Sequence, residues 1–577
     1  MKHEDTRMKK IGPNYPRYET TVFRDFRVMV DNIAARKPDG IAYIFKKNPR
    51  DNETTSVTFA EVQRDTHALG TALIHRFGHR AKIGITSEAA YRQILSYYAV
   101  MSSGNISVPI DREWAAEDMA ATFAKAGCSA VIYSAGIESK MAAVRTALPD
   151  CVFITLGDEE TPGSVRYADL VDEGNALIAA GDDSYATYDI DPDALASIVF
   201  TSGTTGKGKG VMLSTNNICL DMTDGMYHFA ITDRTMCVLP PHHTFCSTII
   251  FVGHFAQGCT IYLSSGLKYL LPELKEQKPT HLVLVPLFIE TLYKRIWQTA
   301  EKTGKADTLR KGIKLSASLR KVGIDRRRSI FKDVLDTFGG EVKMIICGGA
   351  ALNQDIIDFF DAIGITILNG YGITECAPLI SCNRNEYQKK DSVGVPIVDE
   401  EVRILDPDEN GEGEIAVRGA NVMLGYYEDE EATAAAFTED GFFKTGDYGR
   451  LDEDGWLYIT GRLKNLIIFS NGKNVYPEEI ETEISRIRGV SECVVYAGES
   501  ISDPKKEVIV AEIYPDEEEL KLAGIEDDKA YFTAEVKKLN QRMVSYKNVG
   551  LVKIRHTEFP KNTSKKITRF NIDKTID

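Results

Sequence analysis

The sequence predicts an α/β protein: a large N-terminal domain of two helix-covered parallel-type sheets plus an antiparallel subdomain, and a small α+β C-terminal domain. Residues 20–180 alternate helical patterns with short strands, such as a helix at 58–77 that a threonine caps and a strand at 130–133. Strands separated by helices of this length favour a parallel sheet covered by helices. From about residue 392, short strands alternate with tight turns, which indicates an antiparallel subdomain. A smaller unit begins beyond Gly461.

Length and composition exclude several classes of protein. The chain has 577 residues, which is too long for one core, and 69 basic against 84 acidic residues give a net charge of −15. This charge argues against a nucleic-acid partner and against general attraction to an anionic membrane, although it leaves a local basic site open. Ten dispersed cysteines without a C-x-x-C pair, and no apolar run after MKHEDTRMKK, indicate reduced thiols and a cytoplasmic location.

The most apolar long segment, residues 247–263, is interrupted by His254 and two glycines. A membrane span needs about 20 nearly uninterrupted apolar residues. The segment is therefore predicted to be a buried helix and strand rather than a transmembrane segment. Peripheral membrane contact and the oligomeric state stay open. Residues 300–330 are rich in lysine and arginine and are predicted to form a solvated helical pair.

A glycine- and threonine-rich loop, FTSGTTGKGKGV at 200–211, follows the apolar run 196–200. Glycine lets the backbone approach an anion closely, and hydroxyl groups add hydrogen-bond donors, so this loop suits phosphate. Residues 203–209 also fit the Walker pattern G-x-x-x-x-G-K, but Gly210 stands where that motif needs Ser or Thr to bind magnesium. The sequence thus predicts a phosphate loop of another kind, with a flexible surface loop as the alternative.

Two more glycine-containing turns follow predicted strands, at 348–350 after the strand 343–347 and at 369–372 after the strand 366–368. Ligands of parallel sheets collect where strands end and helices begin, so we expect these turns and the phosphate loop to form one site. The grouping of His242, His243, Cys246 and His254 could instead suggest a metal site, but its spacing matches no known pattern.

Five motifs in order extend over nearly the whole chain: the loop at 200–211, NGYGITE at 369–375, KTGDYGRLDEDGWLYITGRLKNLI at 444–467, SNGKNVYPEEIE at 470–481 and PKNTSKKITR at 560–569. With these motifs the chain resembles the adenylate-forming superfamily, and within it the acyl-CoA synthetases of the long-chain fatty-acid–CoA ligase type. Two positions depart from the family pattern. Gly208 replaces a usual proline, and Cys246 replaces the acidic residue that long-chain ligases tend to have.

The resemblance implies roles for matching residues. Glu375 would hold Mg²⁺, Thr374 would contact phosphate, Asp447 would accept the ribose hydroxyls with Arg462 as its companion, and Tyr371 would stack on adenine. The full set implied to bind ATP or AMP is Thr201, Ser202, Gly203, Thr204, Thr205, Gly206, Lys209, Gly349, Ala350, Asn369, Gly370, Tyr371, Gly372, Thr374, Asp447, Arg462, Asn474 and Lys566.

Further roles follow from the same likeness. Lys464 would be the hinge between a large domain at 1–463, with its antiparallel subdomain at about 392–463, and a small mobile α+β C-terminal domain at 464–577. Asn471 and Gly472 would line the coenzyme A path. Lys566 would reach the reacting carboxylate, and His243 would lie near that carboxylate, so the implied catalytic residues are Lys566, Thr374, Glu375 and His243.

The implied function is that of an ATP-dependent acid–thiol ligase. It would adenylate a carboxylic acid, with a medium- to long-chain fatty acid favoured, and then transfer the acyl group to coenzyme A. The segment HHTFCS at 242–247 lacks the aspartate with which peptide-synthetase domains bind an amino group. The alternatives are an acyl-AMP ligase that loads an acyl carrier protein, a non-catalytic nucleotide-binding regulator and a Walker-type phosphotransferase. The implied cofactors are ATP, Mg²⁺ and coenzyme A.

Overall fold

The computed structural model describes residues 18–201, 208–469, 474–503, 508–561, 567–569 and 572–577. The chain divides into two compact units. The first unit comprises Met1–Glu401 and Val417–Phe443, and the second comprises Val402–Ala416 and Lys444–Asp577. The domain boundary predicted at 463/464, and the hinge at Lys464, stay predictions.

Twenty-six strands lie in the described residues. In chain order they are Ile41–Phe45 (β1), Thr55–Thr58 (β2), Lys82–Thr86 (β3), Ile106–Pro109 (β4), Ala130–Tyr133 (β5), Val152–Thr155 (β6), Val165–Arg166 (β7), Leu195–Phe200 (β8), Gly210–Ser214 (β9), Arg234–Cys237 (β10), Thr260–Leu263 (β11), His281–Leu284 (β12), Met344–Cys347 (β13), Thr366–Gly372 (β14), Leu379–Cys382 (β15), Val395–Pro396 (β16), Glu401–Leu405 (β17), Gly413–Arg418 (β18), Gly425–Tyr426 (β19), Phe443–Leu451 (β20), Leu457–Arg462 (β21), Ile467–Ile468 (β22), Asn474–Val475 (β23), Val490–Ala497 (β24), Ile509–Pro515 (β25) and Val549–Ile554 (β26).

The α-helices of the described residues are Phe26–Arg36 (α1), Phe59–Phe77 (α2), Tyr91–Ser102 (α3), Ala116–Ala126 (α4), Glu138–Ala147 (α5), Tyr167–Ala179 (α6), Ser184–Thr187 (α7), Thr215–His228 (α8), Thr244–Cys246 (α9), Leu270–Gln277 (α10), Pro286–Lys302 (α11), Ala306–Lys321 (α12), Arg327–Ile330 (α13), Lys332–Leu335 (α14), Gln354–Ile363 (α15), Glu430–Ala436 (α16), Pro477–Ile484 (α17), Glu517–Leu522 (α18) and Asp528–Asn540 (α19). A π-helical turn, Ser247–His254, lies between α9 and β11. None of the described helices is long and apolar enough to cross a membrane.

The first unit contains three sheets, each with parallel strand pairs. The largest has the order β19-β9-β8-β4-β3-β5-β6-β7, the second β12-β13-β14-β15-β16 and the third β10-β11-β1-β2. In the largest sheet, the pairs from β8 to β7 are parallel, whereas β9 and β19 add antiparallel pairs at one edge. The predicted α/β class is confirmed, with three such sheets where the sequence predicts two.

The second unit holds smaller sheets. Strands β17, β18, β20 and β21 form a four-stranded sheet in that order, and β22 pairs with β23. Strand β25 pairs antiparallel with β24 and parallel with β26. A core that includes Ile480, Phe532 and Val536 covers this last sheet with α17 and α19, which gives the α+β arrangement that the sequence predicts.

Local sequence explains the best-predicted helix. Thr58 and Glu61 form a capping box in which the Thr58 hydroxyl accepts from the Glu61 N–H, and the Glu61 carboxylate accepts from the Thr58 N–H. Such a box satisfies two backbone donors that the first turn would otherwise leave without partners. Helix α2 then buries a continuous apolar side against α1, α3 and α6, which fixes the helical layer on one face of the largest sheet.

Gly174 lets α6 approach α2 closely, because a Cβ atom at this position would lie 1.8 Å from the Ala68 carbonyl oxygen. We predict that Gly174→Ala lowers the free energy of unfolding by about 1–3 kcal/mol, as overpacking typically does. Gly136→Ala is the control, since a Cβ atom there meets nothing within 4 Å. Urea unfolding of both variants checks the prediction, and equal losses in the two would contradict the role of close packing.

Candidate active site

The predicted phosphate loop connects two antiparallel strands. Phe200 of β8 pairs with Gly210 of β9, and the Thr201 N–H donates to the Lys209 carbonyl oxygen at 3.0 Å. The loop residues Ser202, Gly203, Thr204, Thr205 and Gly206 lie outside the described residues. A Walker loop leads from a strand into a helix whose N-terminus binds phosphate. Because β9 is a strand, its position adds a second argument against the Walker interpretation.

The carboxyl ends of β12, β13 and β14 lie at one edge of their sheet. Leu284 pairs with Cys347, and Cys347 pairs with Asn369, in parallel register. Gly348, Gly349 and Ala350 therefore leave β13 at the edge that Asn369 reaches. The Phe245 ring also reaches this edge, since a Cβ atom on Gly348 would lie 3.0 Å from it. The register therefore brings residues 348–350 next to Asn369, while one shared site with the phosphate loop stays a prediction.

The turn predicted at 369–372 is wrong, because β14 continues through Gly372. Its second half leaves the parallel partner and pairs antiparallel with β15, placing Tyr371 opposite Ser381. Glycine allows this pairing, since a Cβ atom at Gly372 would lie 2.0 Å from the Pro378 carbonyl oxygen. Tyr371 is consequently a half-buried residue of a strand, and Gly370 precedes it in the same strand.

Glu375 has a defined position just after this strand. It lies in a short 3₁₀ turn, Thr374–Cys376, and both Thr374 and Glu375 are half-buried. The Tyr426 hydroxyl donates to Glu375 Oε1 at 3.0 Å, and the Met423 N–H donates to the Glu375 carbonyl oxygen at 2.8 Å. Burial and the Glu375 carboxylate raise the pKa of Tyr426, so its hydroxyl keeps the proton that it donates.

Lys209 contacts the same tyrosine. Its ammonium lies 4.3 Å from the centre of the Tyr426 ring, within range of a cation–π interaction. The face of the Tyr426 ring thus contacts the Lys209 ammonium, and the Tyr426 hydroxyl donates a hydrogen bond to the Glu375 carboxylate. The three side chains form a bridge from the end of the phosphate loop to the turn that carries Glu375.

The residues fit a shared magnesium ion better than an all-protein metal cage. Mg²⁺ usually binds one or two carboxylates and completes its shell with phosphate oxygens and water. Glu375 supplies one carboxylate, of which Tyr426 engages one oxygen. Across the described residues, no group of three or more His, Cys, Asp or Glu could hold a metal ion. A Mg²⁺ ion held by Glu375 would take its other ligands from the nucleotide.

The histidines near residue 243 have different partners. Burial lowers the pKa of His242 to about 4, so its approach to Asp111, at 3.6 Å, is not an ion pair at neutral pH. The His243 ring lies 4.4 Å from that of His242. His254 stacks on buried His281 instead, and Cys246 contacts Cys237 at 3.5 Å. Since these groups point to different partners, the structure does not support the metal-site alternative.

The predicted ribose residues are neighbours in the second unit. Asp447 pairs with Arg462 across β20 and β21, and Arg462 Nε lies 2.8 Å from Asp447 Oδ1. The Asp447 side chain is 3% exposed and that of Arg462 is 56% exposed, so the pair lies at the surface end of the strands. Exposed Lys464 follows in a 3₁₀ turn, Leu463–Asn465. Asn474 begins β23, while Asn471 and Gly472 lie outside the described residues.

Lys566 also lies outside the described residues, but the two ends of its loop are anchored. Lys561 bridges to Ile567, and the Thr568 N–H donates to the Pro560 carbonyl oxygen at 2.8 Å. Lys561 forms an ion pair with Glu492 on one side. On the other side, Arg569 Nη2 lies 2.5 Å from Glu481 Oε2. These contacts hold the base of a short loop that carries Lys566.

The Arg569 ion pair is largely buried. Burial works against its charge, but Glu481 outweighs that effect and raises the pKa of Arg569. Glu481 Oε1 also accepts the Val495 N–H at 2.7 Å, so its carboxylate is satisfied by a cation and a backbone donor. The arginine of the terminal motif is therefore a structural anchor.

Comparisons with known proteins agree with this geometry. Residues 30–427 match the family described as AMP-binding enzyme. The chain belongs to this family. A long-chain-fatty-acid–CoA ligase, FadD15, of Mycobacterium bovis is 30% identical to this AMP-binding enzyme over 500 residues, which are 81% of this chain and 80% of that protein.

Two further relatives are informative. The chloroplastic long-chain-fatty-acid–[acyl-carrier-protein] ligase AEE15 of Arabidopsis thaliana is 25% identical over 580 residues, covering 85% of this chain and 79% of that protein. The structure of O-succinylbenzoate coenzyme A synthetase (MenE) from Bacillus subtilis, in complex with ATP and a magnesium ion, has a TM-score of 0.69 at 21% identity. It covers 94% of this chain and 98% of that chain, and at this identity the likeness shows the fold.

Sequence reasoning missed two residues of the site, Tyr426 and Arg569. Tyr426 is one of two adjacent tyrosines in the stretch MLGYYED, and nothing in the stretch indicates which of the two meets Glu375. Arg569 is part of the quoted motif PKNTSKKITR, but its partner Glu481 is 88 residues away. The sequence shows a basic residue at the end of one motif and an acidic residue, Glu481, at the end of another, with no local pattern that pairs them.

We predict that Tyr426→Phe weakens the binding of Mg²⁺–ATP by about tenfold or more, the range for a lost hydrogen bond to a charged group. The ring remains, so Lys209 keeps its contact and only the hold on Glu375 is lost. Tyr427→Phe is the matched control, because the Tyr427 hydroxyl accepts from Lys82 at 2.9 Å instead. Calorimetric titration measures both affinities. Equal weakening in the two variants would refute the assignment.

We also predict that Arg569→Gln destabilises the protein by about 3–5 kcal/mol, because it leaves the buried Glu481 carboxylate without its cation. Lys538→Gln serves as the control in the same unit, since its pair with Glu535 is exposed. The control is expected to change stability by about 0.5 kcal/mol or less. Thermal unfolding followed by circular dichroism distinguishes the two, and a loss in Arg569→Gln no larger than in the control would contradict the anchor.

Proposed function

We propose that this AMP-binding enzyme is an ATP-dependent acid–thiol ligase. It joins a fatty acid to AMP, releases pyrophosphate, and then transfers the acyl group to coenzyme A with release of AMP. The observation that carries the proposal is the Lys209–Tyr426–Glu375 bridge, which places a cation and a carboxylate between the phosphate loop and the strand ends. The similarity to a long-chain-fatty-acid–CoA ligase over 81% of the chain supports it.

The first step is a substitution at phosphorus. A carboxylate oxygen of the acid attacks the α-phosphorus of ATP, and the bond to the pyrophosphate oxygen breaks. Lys209 and the hydroxyls of Thr201, Ser202, Thr204 and Thr205 bind the phosphates, and Glu375 orients the magnesium that neutralises phosphate charge. Lys566 stabilises the approach of the two anions. Tyr371 stacks on adenine beside Gly349 and Ala350.

Asp447 and Arg462 are the residues that we assign to the ribose. Asp447 is nearly fully buried yet paired with an exposed arginine, an arrangement suited to accept the two ribose hydroxyls while Arg462 adjusts around them. Asn474 completes the set. Thr374 contacts phosphate, and His243, whose ring lies 4.4 Å from that of His242, lies near the carboxylate of the acid.

The second step needs a different arrangement of the site. The thiol of coenzyme A attacks the acyl carbonyl, the bond to the AMP oxygen breaks, and Lys566 is no longer needed at that position. We assign Lys464 as the hinge between the large domain at 1–463 and the small domain at 464–577, and Asn471 and Gly472 as the lining of the thiol path. The ion pairs of Lys561 and Arg569 support this assignment, because they tie the residues on either side of 562–566 to the core of the small domain.

A fatty acid is the substrate that the strand-end region favours. The π-helical turn after Phe245 buries Ile249, Ile250, Phe251 and Val252, and Cys246 next to it is fully buried and uncharged. Burial raises the pKa of Cys246 well above its usual value, so its thiol stays neutral in this apolar wall. We infer that this apolar segment borders the site of the acid, where it would suit an aliphatic chain.

A cytoplasmic location belongs to the same proposal. All ten cysteines are free thiols. Free, mostly buried thiols are typical of proteins of a reducing compartment.

Exchange of labelled pyrophosphate into ATP tests the first step. A panel of fatty acids of increasing length, aromatic acids and amino acids is scored for acid-dependent exchange, and the proposal requires exchange with fatty acids. AMP release with coenzyme A and with acyl carrier protein then identifies the acceptor, since one relative is named as an acyl-carrier-protein ligase. Nucleotide binding without exchange for any acid would favour the non-catalytic regulator.

We predict that Lys566→Ala slows adenylation by about 10²- to 10³-fold, as loss of one charge-stabilising group does. Thioester formation from supplied acyl-adenylate should largely persist, because the second step does not use this lysine. Lys565→Ala is the control, since it removes the neighbouring charge of the same loop. Single-turnover rates of the two half-reactions provide the measurement. A parallel fall of both half-reactions in Lys566→Ala would contradict the division of roles.

A further inference from the structure

Helix α12 has two chemically distinct faces. On its inner face, Leu309 and Ser316 are buried, and the Ser316 hydroxyl donates to the Ala362 carbonyl oxygen at 3.2 Å. Arg320 on the same face forms an ion pair with Asp361 at 2.6 Å. Since helical residues three or four apart share a face, positions 309, 313, 316 and 320 lie opposite positions 311, 314, 315, 318 and 322. The helix is therefore docked on α15 by one face and presents the other to solvent.

Cations that the fold does not use lie on this outward face and at or just beyond the two ends of the helix. Arg327 pairs with Asp325 and Asp361, and Arg328 donates to the carbonyl oxygens of Val342 and Gly340, so these arginines hold the fold together. Five other cations between residues 305 and 326 are exposed, and the described part of the chain offers them no ion pair. They are Lys305, Lys311, Lys314, Lys321 and Arg326.

Apolar side chains are exposed among these cations. Leu315 is 53% exposed, Val322 71% and Ile324 46%. Eleven large apolar side chains are exposed over the described residues, and these three fall within ten consecutive positions. A group of exposed aliphatic side chains rimmed by charged residues is typical of an interaction surface.

We propose that this outer face of α12, together with the turn that follows it, binds the headgroup region of an anionic phospholipid bilayer. The lysine ammonium groups pair with lipid phosphates, while Leu315, Val322 and Ile324 enter the boundary between headgroups and acyl chains. The protein lies on the membrane without spanning it.

Charge decides how the protein attaches. The whole chain carries −15, so an anionic surface repels most of it and attracts only a local cluster of cations. Attraction to anionic lipid is about 1 kcal/mol per lysine near the surface, or about fivefold in partitioning. The lysines would also form ion pairs with an acidic protein. The aliphatic rather than aromatic or polar character of the three exposed side chains favours lipid over a nucleic acid or an acidic protein.

The attachment is independent of the catalytic proposal, because no residue of α12 is placed in the active site. Loss of membrane binding would leave acid-dependent pyrophosphate exchange in solution unchanged, and absence of exchange would leave vesicle binding unchanged. The two proposals can therefore fail separately.

Vesicle co-sedimentation of the full chain tests the proposal. The wild type should bind vesicles of phosphatidylcholine mixed with phosphatidylglycerol, bind phosphatidylcholine vesicles far less, and be released by salt. Replacing Lys311, Lys314 and Lys321 together by Gln should lower partitioning into the vesicles about 100-fold, because each lysine contributes about fivefold. Replacing Leu315, Val322 and Ile324 together by Ser should also lower it, with the salt dependence retained.

The matched control replaces Lys275, Lys529 and Lys537 by Gln, which removes three exposed lysines elsewhere and should leave binding near the wild-type value. Circular dichroism confirms that each variant is folded, as is expected for exposed positions. Three results would overturn the proposal: no binding of the wild type to the mixed vesicles, equal loss in the control, or lysine-dependent binding to an acidic carrier protein without vesicle binding.

Discussion

Two backbone pairings, Gly425 with Met212 and Tyr426 with Val211, hold together the parts of the chain that a phosphate site requires. They fix β19 beside the strand that leaves the phosphate loop, and the Met423 N–H ties the same segment to the Glu375 carbonyl oxygen at 2.8 Å. Lys209 and Glu375 are thereby placed on either side of one aromatic residue. In the described part of the chain, Lys209 and Glu375 form no direct ion pair. Neither charge neutralises the other, so each can bind a ligand of opposite sign.

The second unit carries Lys566, the residue that we propose to supply a charge in the first step of the reaction. A lysine on a loose loop would sample many positions and would lose conformational entropy each time it reached the substrate. Here the ion pairs of Lys561 with Glu492 and of Arg569 with Glu481 fix both ends of the loop to the core of the unit. Because Lys561 and Arg569 are tied to that core, the proposed delivery of Lys566 would be controlled by motion of the unit as a whole.

Much of the fold could be predicted from local sequence. The strands at 130–133 and 152–155 and the helix after Thr58 appear where expected, because apolar runs, turn residues and a capping box act over a few residues. The strand conformation of Asn369–Gly372 could not be predicted, because its two glycines are typical of a turn and its antiparallel partner β15 is not evident from the sequence. In the site, motif residues were predictable but their partners were not. Tyr426 meets a carboxylate 51 residues away, and such a contact leaves no local pattern.

The order of strands in the eight-stranded sheet bears on how the protein is made. Strand β9 lies next to the edge, and the strand that covers it, β19, begins only at Gly425. A ribosome must therefore synthesise the whole five-stranded sheet before that edge acquires its neighbour. Until then the nascent chain exposes backbone donors and acceptors of β9, the kind of edge on which aggregation starts. Chaperone protection during translation would matter most between these two strands.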